Sequence, residues 1–196
     1  YQTYNLAKDR ITADKSLVEE EKRAVILDVD ETVLQNHFYN ASDVLYQQHY
    51  PTDFDRWIEN GRPELVAGCL DFLLFADSLG YKIFYITNRS LRHLSPTINT
   101  LASLGVPQVD STTVLVKSTE SSKEKRRQSV ADNHRITLLV GDNLIDFAEF
   151  FDTRILENRK EAVFKHSNEF GNTFLILPNI MSGDWIKALL QNQRNH

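Results

Sequence analysis

Apolar runs of strand length alternate along the chain with longer stretches in which apolar residues recur every three or four positions. The runs at 24–29, 82–87, 113–116, 136–141 and 173–177 are dense in Val, Ile, Leu, Phe and Tyr and are predicted as strands. The stretches at 63–79, 91–104, 122–133, 158–168 and 184–192 have helical spacing and several end near Gly or a loop, so they are predicted as helices. Strand and helix in succession point to an α/β fold, a parallel sheet flanked by helices.

Two stretches break this rhythm. Residues 35–62 are polar and aromatic at once (Phe38, Tyr39, Tyr46, Tyr50, Phe54, Trp57) and read as short helices inserted over the sheet edge, a small cap. Residues 1–22 combine many charges with spaced apolar positions (Tyr4, Leu6, Ile11, Leu17, Val18), which suits helices packed on the outside of the core. The whole chain, 1–196, then reads as one domain, its α/β core drawn from 24–34 and 63–180.

At 41% hydrophobic and 25% charged residues, a chain of 196 residues can bury a core without disulfides or a structural metal. The net charge of -5 gives no reason to expect a nucleic acid polymer or an anionic membrane as partner, and an anionic substrate would need a local positive site. The longest apolar stretch, 65–76, is interrupted by Asp71 and is shorter than the roughly 20 residues that span a bilayer. Cys69 lies in an apolar helical pattern and is expected to be a buried, inert thiol. A start at Tyr1 rather than Met is consistent with a processed or trimmed form whose targeting segment is gone.

In an open α/β sheet, ligands bind beyond the carboxyl ends of the strands, and here those ends form a coherent set. The first strand ends in Asp28-Val29-Asp30-Glu31-Thr32, the second in Ile86-Thr87-Asn88-Arg89 and the fourth in Gly141-Asp142-Asn143-Leu144-Ile145-Asp146, while a basic segment from Ser121 to Arg127 follows the third. Carboxylates crowded at one sheet edge repel one another and resist burial unless a cation sits among them. Magnesium, which takes one or two carboxylates alongside phosphate oxygens, suits Asp28 and Asp142. A phosphate would need further donors and charge, which Thr87 and Lys123 supply. Ser121 and Ser122 read as caps that place Lys123 near a helix N-terminus. Lys117, Lys125, Arg126 and Arg127 lie close by, so an exposed basic helix face is the competing reading of this run. A DxDxT string alone is a weak signal; four motifs in order, each after a predicted strand, are a stronger one.

These motifs resemble the haloacid dehalogenase-like phosphohydrolases, and the longer strings at 26–34, 84–89 and 140–147 are similar, more narrowly, to the bacterial class C acid phosphatases, which are secreted lipoproteins. The resemblance covers roughly 25–147. It implies a Rossmann-like core in which Asp28 attacks phosphorus and Asp30 protonates the leaving oxygen and then activates water. Asp30 would also offer its backbone carbonyl to magnesium beside Asp28 and Asp142, with Thr87 and Lys123 holding phosphate, Thr32 orienting the loop and Asp146 supporting the metal from behind. Nucleoside monophosphates and aryl phosphates are the implied substrates, as for a 5'-nucleotidase. A periplasmic or outer-membrane-anchored location and a homo-oligomer are implied as well. The chain departs from the family pattern at Gln35 and at 66–69, and it lacks the lipid-bearing cysteine near the N-terminus, so any anchor belongs to a segment absent from this sequence.

The aromatic residues of 35–62 either form a small cap core or offer a stacking wall to a base or aryl group, with Tyr39 and Trp57 the candidates for stacking. Asn88, Arg89 and Asn143 either orient phosphate or cap the following helices. The six histidines show no paired metal-ligand spacing. A signalling receiver domain, a catalytically silent storage or binding protein on the same scaffold, and a phosphotransferase are the alternatives. Motif order speaks against the receiver, and the intact set of acids, Thr87 and Lys123 speaks against the silent scaffold.

Overall fold

The computed structural model describes residues 1–14, 22–46 and 52–193. Leu17, Val18 and Tyr50, expected above to help pack the N-terminal segment and the cap, lie outside the described residues. The strands are β1 (Arg23–Leu27), β2 (Leu34–Gln35), β3 (Glu64–Leu65), β4 (Lys82–Ser90), β5 (Val114–Lys117), β6 (Arg135–Gly141) and β7 (Phe174–Ile176). Five of them form a sheet in the order β5-β4-β1-β6-β7, and each neighbouring pair is parallel. The expected α/β architecture is therefore present.

β1 is the central strand, and its sequence shows why. Arg23 apart, its residues are buried on both faces, as a strand covered by helices on each side requires. The pleat sends Val25 and Leu27 to one core layer, with Ile83, Tyr85, Leu138 and Val140. It sends Ala24 and Ile26 to the other, with Phe84, Ile86, Leu139 and Phe174. The first layer is closed by α1 (Gln2–Ala13) and α4 (Cys69–Ser78). Tyr4, Ala7 and Ile11 of α1, spaced at helical intervals, are buried with Phe72, Leu73 and Ala76 of α4. That settles the outer packing role expected of the first part of the N-terminal segment.

The predicted helix over 63–79 starts only at Cys69. Ahead of it, Glu64–Leu65 pairs antiparallel with Leu34–Gln35, making a two-stranded ribbon. Gly68 separates ribbon from helix with φ 86, a left-handed conformation in which a side chain would be strained. Between the two arms of the ribbon lie α2 (His37–Tyr46) and α3 (Thr52–Asn60), the short helices expected of the cap. The remaining helices, α5 (Leu94–Ser103), α6 (Glu124–Ala131), α7 (Leu156–Lys165) and α8 (Trp185–Gln193), lie within or close to their predicted spans.

The chain runs outward from β1 to β4 and β5 on one side and from β6 to β7 on the other, so its direction of travel reverses across β1 and β6. A crevice opens beyond the carboxyl ends of strands at such a switch point. Because Phe72 is fully buried between α1 and the sheet, Phe72→Ala is expected to lower stability by about 3–5 kcal/mol. Chemical denaturation measures this, and a loss below about 1 kcal/mol would show that the layer is not packed as described.

Candidate active site

The turn after β1 carries Asp28 and Asp30 and is held by its own backbone. Val33 and Leu34 both donate to the Val29 carbonyl, at 2.9 and 2.8 Å, and the Asp28 N–H donates to the Val140 carbonyl of β6 at 2.9 Å. Glu31 takes φ 58, unusual for a residue with a side chain. Its carboxylate compensates by accepting from the Asn36 N–H at 3.1 Å and from Asn40 Nδ2 at 3.0 Å. From the other side, the buried Tyr4 hydroxyl of α1 donates to the Thr32 carbonyl at 2.6 Å.

Across the crevice, β6 ends at Gly141 and delivers Asp142 and Asp146. A Cβ at Gly141 would come within 2.5 Å of the Asp146 side chain, so glycine is what lets that carboxylate fold back against the strand end. Asp146 accepts the Asn143 N–H at 2.9 Å. Asp28, Asp142 and Asp146 are all buried, and a ligand oxygen from each lies within 4.8 Å of the others. Lys123, only 4% exposed, sits at the N-terminus of α6, where Ser122 Oγ accepts the Glu124 N–H at 3.3 Å. Its ammonium bonds Asp28 and reaches Asp146 at 2.6 Å. Of the lysines and arginines in the basic run, it is Lys123 that enters the crevice; Lys125 instead pairs with Glu120 on the surface.

Burial raises the Asp28 carboxyl to about 7, with Asp146 and Asp30 adding repulsion that Lys123 only partly offsets. Burial likewise lifts Asp142 to about 9, reinforced by the charges of Asp28 and Asp146. Burial works against the charge on Lys123 too, but Asp146 and Asp28 outweigh it and hold the ammonium above the ordinary lysine range. Crowded hard oxygens short of positive charge are the donor set that suits a divalent cation. Asp28 and Asp142 would hold it, with Asp146 close enough to contribute or to brace the others.

Asp30 has different partners. Arg89 grips both of its oxygens, through Nε at 3.0 Å and Nη2 at 2.7 Å, and Asn36 Nδ2 donates to Oδ1 at 3.0 Å. Burial opposes the charge on Asp30, but Arg89 and Asn36 outweigh it and hold the carboxyl below its usual range. Thr87 is buried, its hydroxyl accepting the Arg89 N–H at 3.1 Å, while Arg126 braces its carbonyl at 2.5 Å and the Asn88 side chain at 2.7 Å. Thr32 Oγ1 reaches Asp142 at 3.4 Å.

The structure thus joins Asp28, Lys123 and Asp146 through direct contacts and sets Asp142, bonded to Thr32, within 4.8 Å of the other two carboxylates, with Asp30 on the same turn and Thr87 within the neighbouring strand β4. Tyr39 and Trp57 stand in the cap, 6.4 Å apart between ring centres, and both line a groove of about 450 Å³ with Phe38, Ser42, Asp53 and Arg56. Sequence reasoning left Arg89 aside and missed Asn36 and Asn179, whose Nδ2 bonds Asp142 at 2.6 Å. Arg89 had a signal, its place two residues after Thr87; the two asparagines had none.

Comparison with known proteins supplies the family. The family model described as HAD superfamily, subfamily IIIB (acid phosphatase), matches residues 1–185. The chain belongs to this family. Its fold superposes on the class C acid phosphatase from Bacillus anthracis with a TM-score of 0.92 at 38% identity, covering 98% of this chain and 81% of that one. The Bacillus anthracis enzyme with tungstate bound gives 0.91 at 39% identity, covering 97% and 80%. Acid phosphatase 1 of Solanum lycopersicum is 36% identical over 81 residues, which is 41% of this chain and 32% of that protein, so the match spans about a third of that relative. A chain of the Pnkp1/Rnl/Hen1 RNA repair complex shares the fold alone, at TM-score 0.52 and 16% identity over 88% of this chain and 48% of that one. Membership of the acid phosphatase family removes the receiver-domain alternative.

If Asp142 is a direct ligand, Asp142→Asn should weaken binding of magnesium or manganese at least about tenfold in calorimetric titration. Unchanged affinity would place the cation elsewhere.

Proposed function

We propose that this acid phosphatase family member is a magnesium-dependent phosphomonoesterase that works through a phosphoryl group carried on Asp28. The observation that carries the reading is the division of labour between the two aspartates of one turn. Asp28 faces Lys123 and the Asp142–Asp146 cluster, whereas Asp30 is held by Arg89 and Asn36. Two carboxylates in such different surroundings can take different roles.

When bound, magnesium would neutralise the crowded carboxylates and polarise a phosphate oxygen. Lys123 would add positive charge to the phosphoryl group, and the buried Thr87 a hydroxyl. An Asp28 oxygen attacks phosphorus in line with the leaving oxygen, and Asp30 gives that oxygen a proton as the phosphorus–oxygen bond breaks. Asp30, now ionised, takes a proton from the water that attacks the phosphoryl-aspartate, which frees Asp28 and releases phosphate. With Arg89 and Asn36 as partners Asp30 is held as the carboxylate that the second step needs. The first step needs its protonated form, which acidic conditions favour.

Support for a tetrahedral oxyanion as ligand comes from the class C acid phosphatase from Bacillus anthracis with tungstate bound, since tungstate shares the shape of phosphate. The groove beside Tyr39 and Trp57 suits the flat group of a nucleoside monophosphate or an aryl phosphate. Secretion to the periplasm, with or without a lipid anchor carried outside this sequence, and homo-oligomerisation belong to the same proposal and rest on the family resemblance.

Phosphate release from p-nitrophenyl phosphate and a panel of nucleoside monophosphates, at acidic and neutral pH, with magnesium or chelator, tests the reading. Release is expected with magnesium only, abolished in Asp28→Asn and slowed about a hundred- to ten-thousandfold in Asp30→Asn. Release that survives Asp28→Asn, or none from the unaltered protein under any condition, would sink it.

A further inference from the structure

Trp57 belongs to two structures at once. Its ring lines the cap groove beside Tyr39. Its indole N–H donates to Asn36 Oδ1 at 2.8 Å. Asn36 is 2% exposed, and it passes the contact on, its Nδ2 donating to Asp30 Oδ1 at 3.0 Å while its backbone N–H is tied to Glu31 at 3.1 Å.

The direction of these bonds is not free. An indole N–H can only donate, so the amide oxygen of Asn36 must face Trp57 and the amide nitrogen must face Asp30. Reversing the amide would set two donors against each other at one end and two acceptors at the other. The chain from the wall of the groove to the Asp30 carboxylate therefore has one polarity. Arg89, from β4, restrains the same carboxylate through its two bonds. Asn36 adds a third restraint from the cap side, independent of that strand.

We propose that Asn36 and Trp57 are positioning residues for proton transfer, coupling the wall of the leaving-group groove to the orientation of Asp30. This rests on the proposed reading of Asp30 as the group that protonates the leaving oxygen and of the cap groove as the seat of the leaving group. A substrate ring against Trp57 then bears on the same indole that sets Asn36, and Asn36 sets the carboxylate that completes the reaction at the other end of that substrate.

The consequence depends on the leaving group. A poor leaving oxygen needs the proton as its bond breaks, and a good one needs it far less. Trp57→Phe keeps an aromatic ring in the groove wall, though a smaller one, and removes the donor. Turnover is expected to fall for both phenyl phosphate and p-nitrophenyl phosphate, but by roughly tenfold more for phenyl phosphate, the worth of one hydrogen bond near a charged group, with kcat moving more than KM. Asn36→Ala should show the same bias, and Trp57→Phe should add little to it in the double variant, because the chain is already cut. Melting curves identify any variant that has merely unfolded. Equal losses on the two esters, or additive losses in the double variant, would assign both residues to packing and overturn the proposal. Turnover of both esters by the unaltered protein is established first; its absence overturns the phosphatase reading and this inference with it.

Discussion

Three buried carboxylates, Asp28, Asp142 and Asp146, stand with oxygens within 4.8 Å of one another, and the structure around them is organised to offset their repulsion. Lys123 supplies one full charge from the N-terminus of α6. Neutral donors add to it. Asn143 and Asn179 both donate to Oδ2 of Asp142 at 2.6 Å, and the Asn143 N–H bonds Asp146. These do not suffice, since Asp28 and Asp142 remain pushed up to about 7 and about 9. A shortfall of positive charge in a crevice of hard oxygens is the physical basis for reading the site as one made for a cation and a phosphate together.

Holding such charges close requires a rigid platform, and the parallel sheet provides it. Asp28 and Asp142 follow adjacent strands whose alternate residues are locked into two separate core layers. The turn that carries Asp28 is gripped from β6 through the Asp28 N–H and from α1 through the Tyr4 hydroxyl. The first helix, which carries none of the charged groups of the crevice, thus reaches the carbonyl of Thr32, whose hydroxyl in turn reaches Asp142. Strain at Glu31 persists because Asn36, Asn40 and the Leu34 carbonyl hold the turn around it.

The sheet and most of the crevice were legible in the sequence because both are written locally. Buried parallel strands read as continuous apolar runs, and the groups at their ends follow at once, so 26–32 and 138–146 show strand and carboxylates together. Lys123 was set apart from its basic neighbours by its place in the order of motifs, with Ser122 beside it capping the start of α6. What escaped notice depends on contacts between distant residues. Asn179 meets Asp142 from 37 positions away, and the bonds linking Trp57, Asn36 and Asp30 join three parts of the chain that no motif connects. The β2–β3 ribbon was hidden for the same reason: two residues on each side, 34–35 and 64–65, are too short to show a period, and only their pairing makes them strands.

The central claim is that Asp28 carries the phosphoryl group, and the most direct test is to catch it there. Rapid acid quench during turnover of an aryl phosphate, followed by peptide mass spectrometry, should find phosphate on the peptide containing 26–34 and, within it, on Asp28. Phosphate on Asp30 or on any other residue would contradict the account.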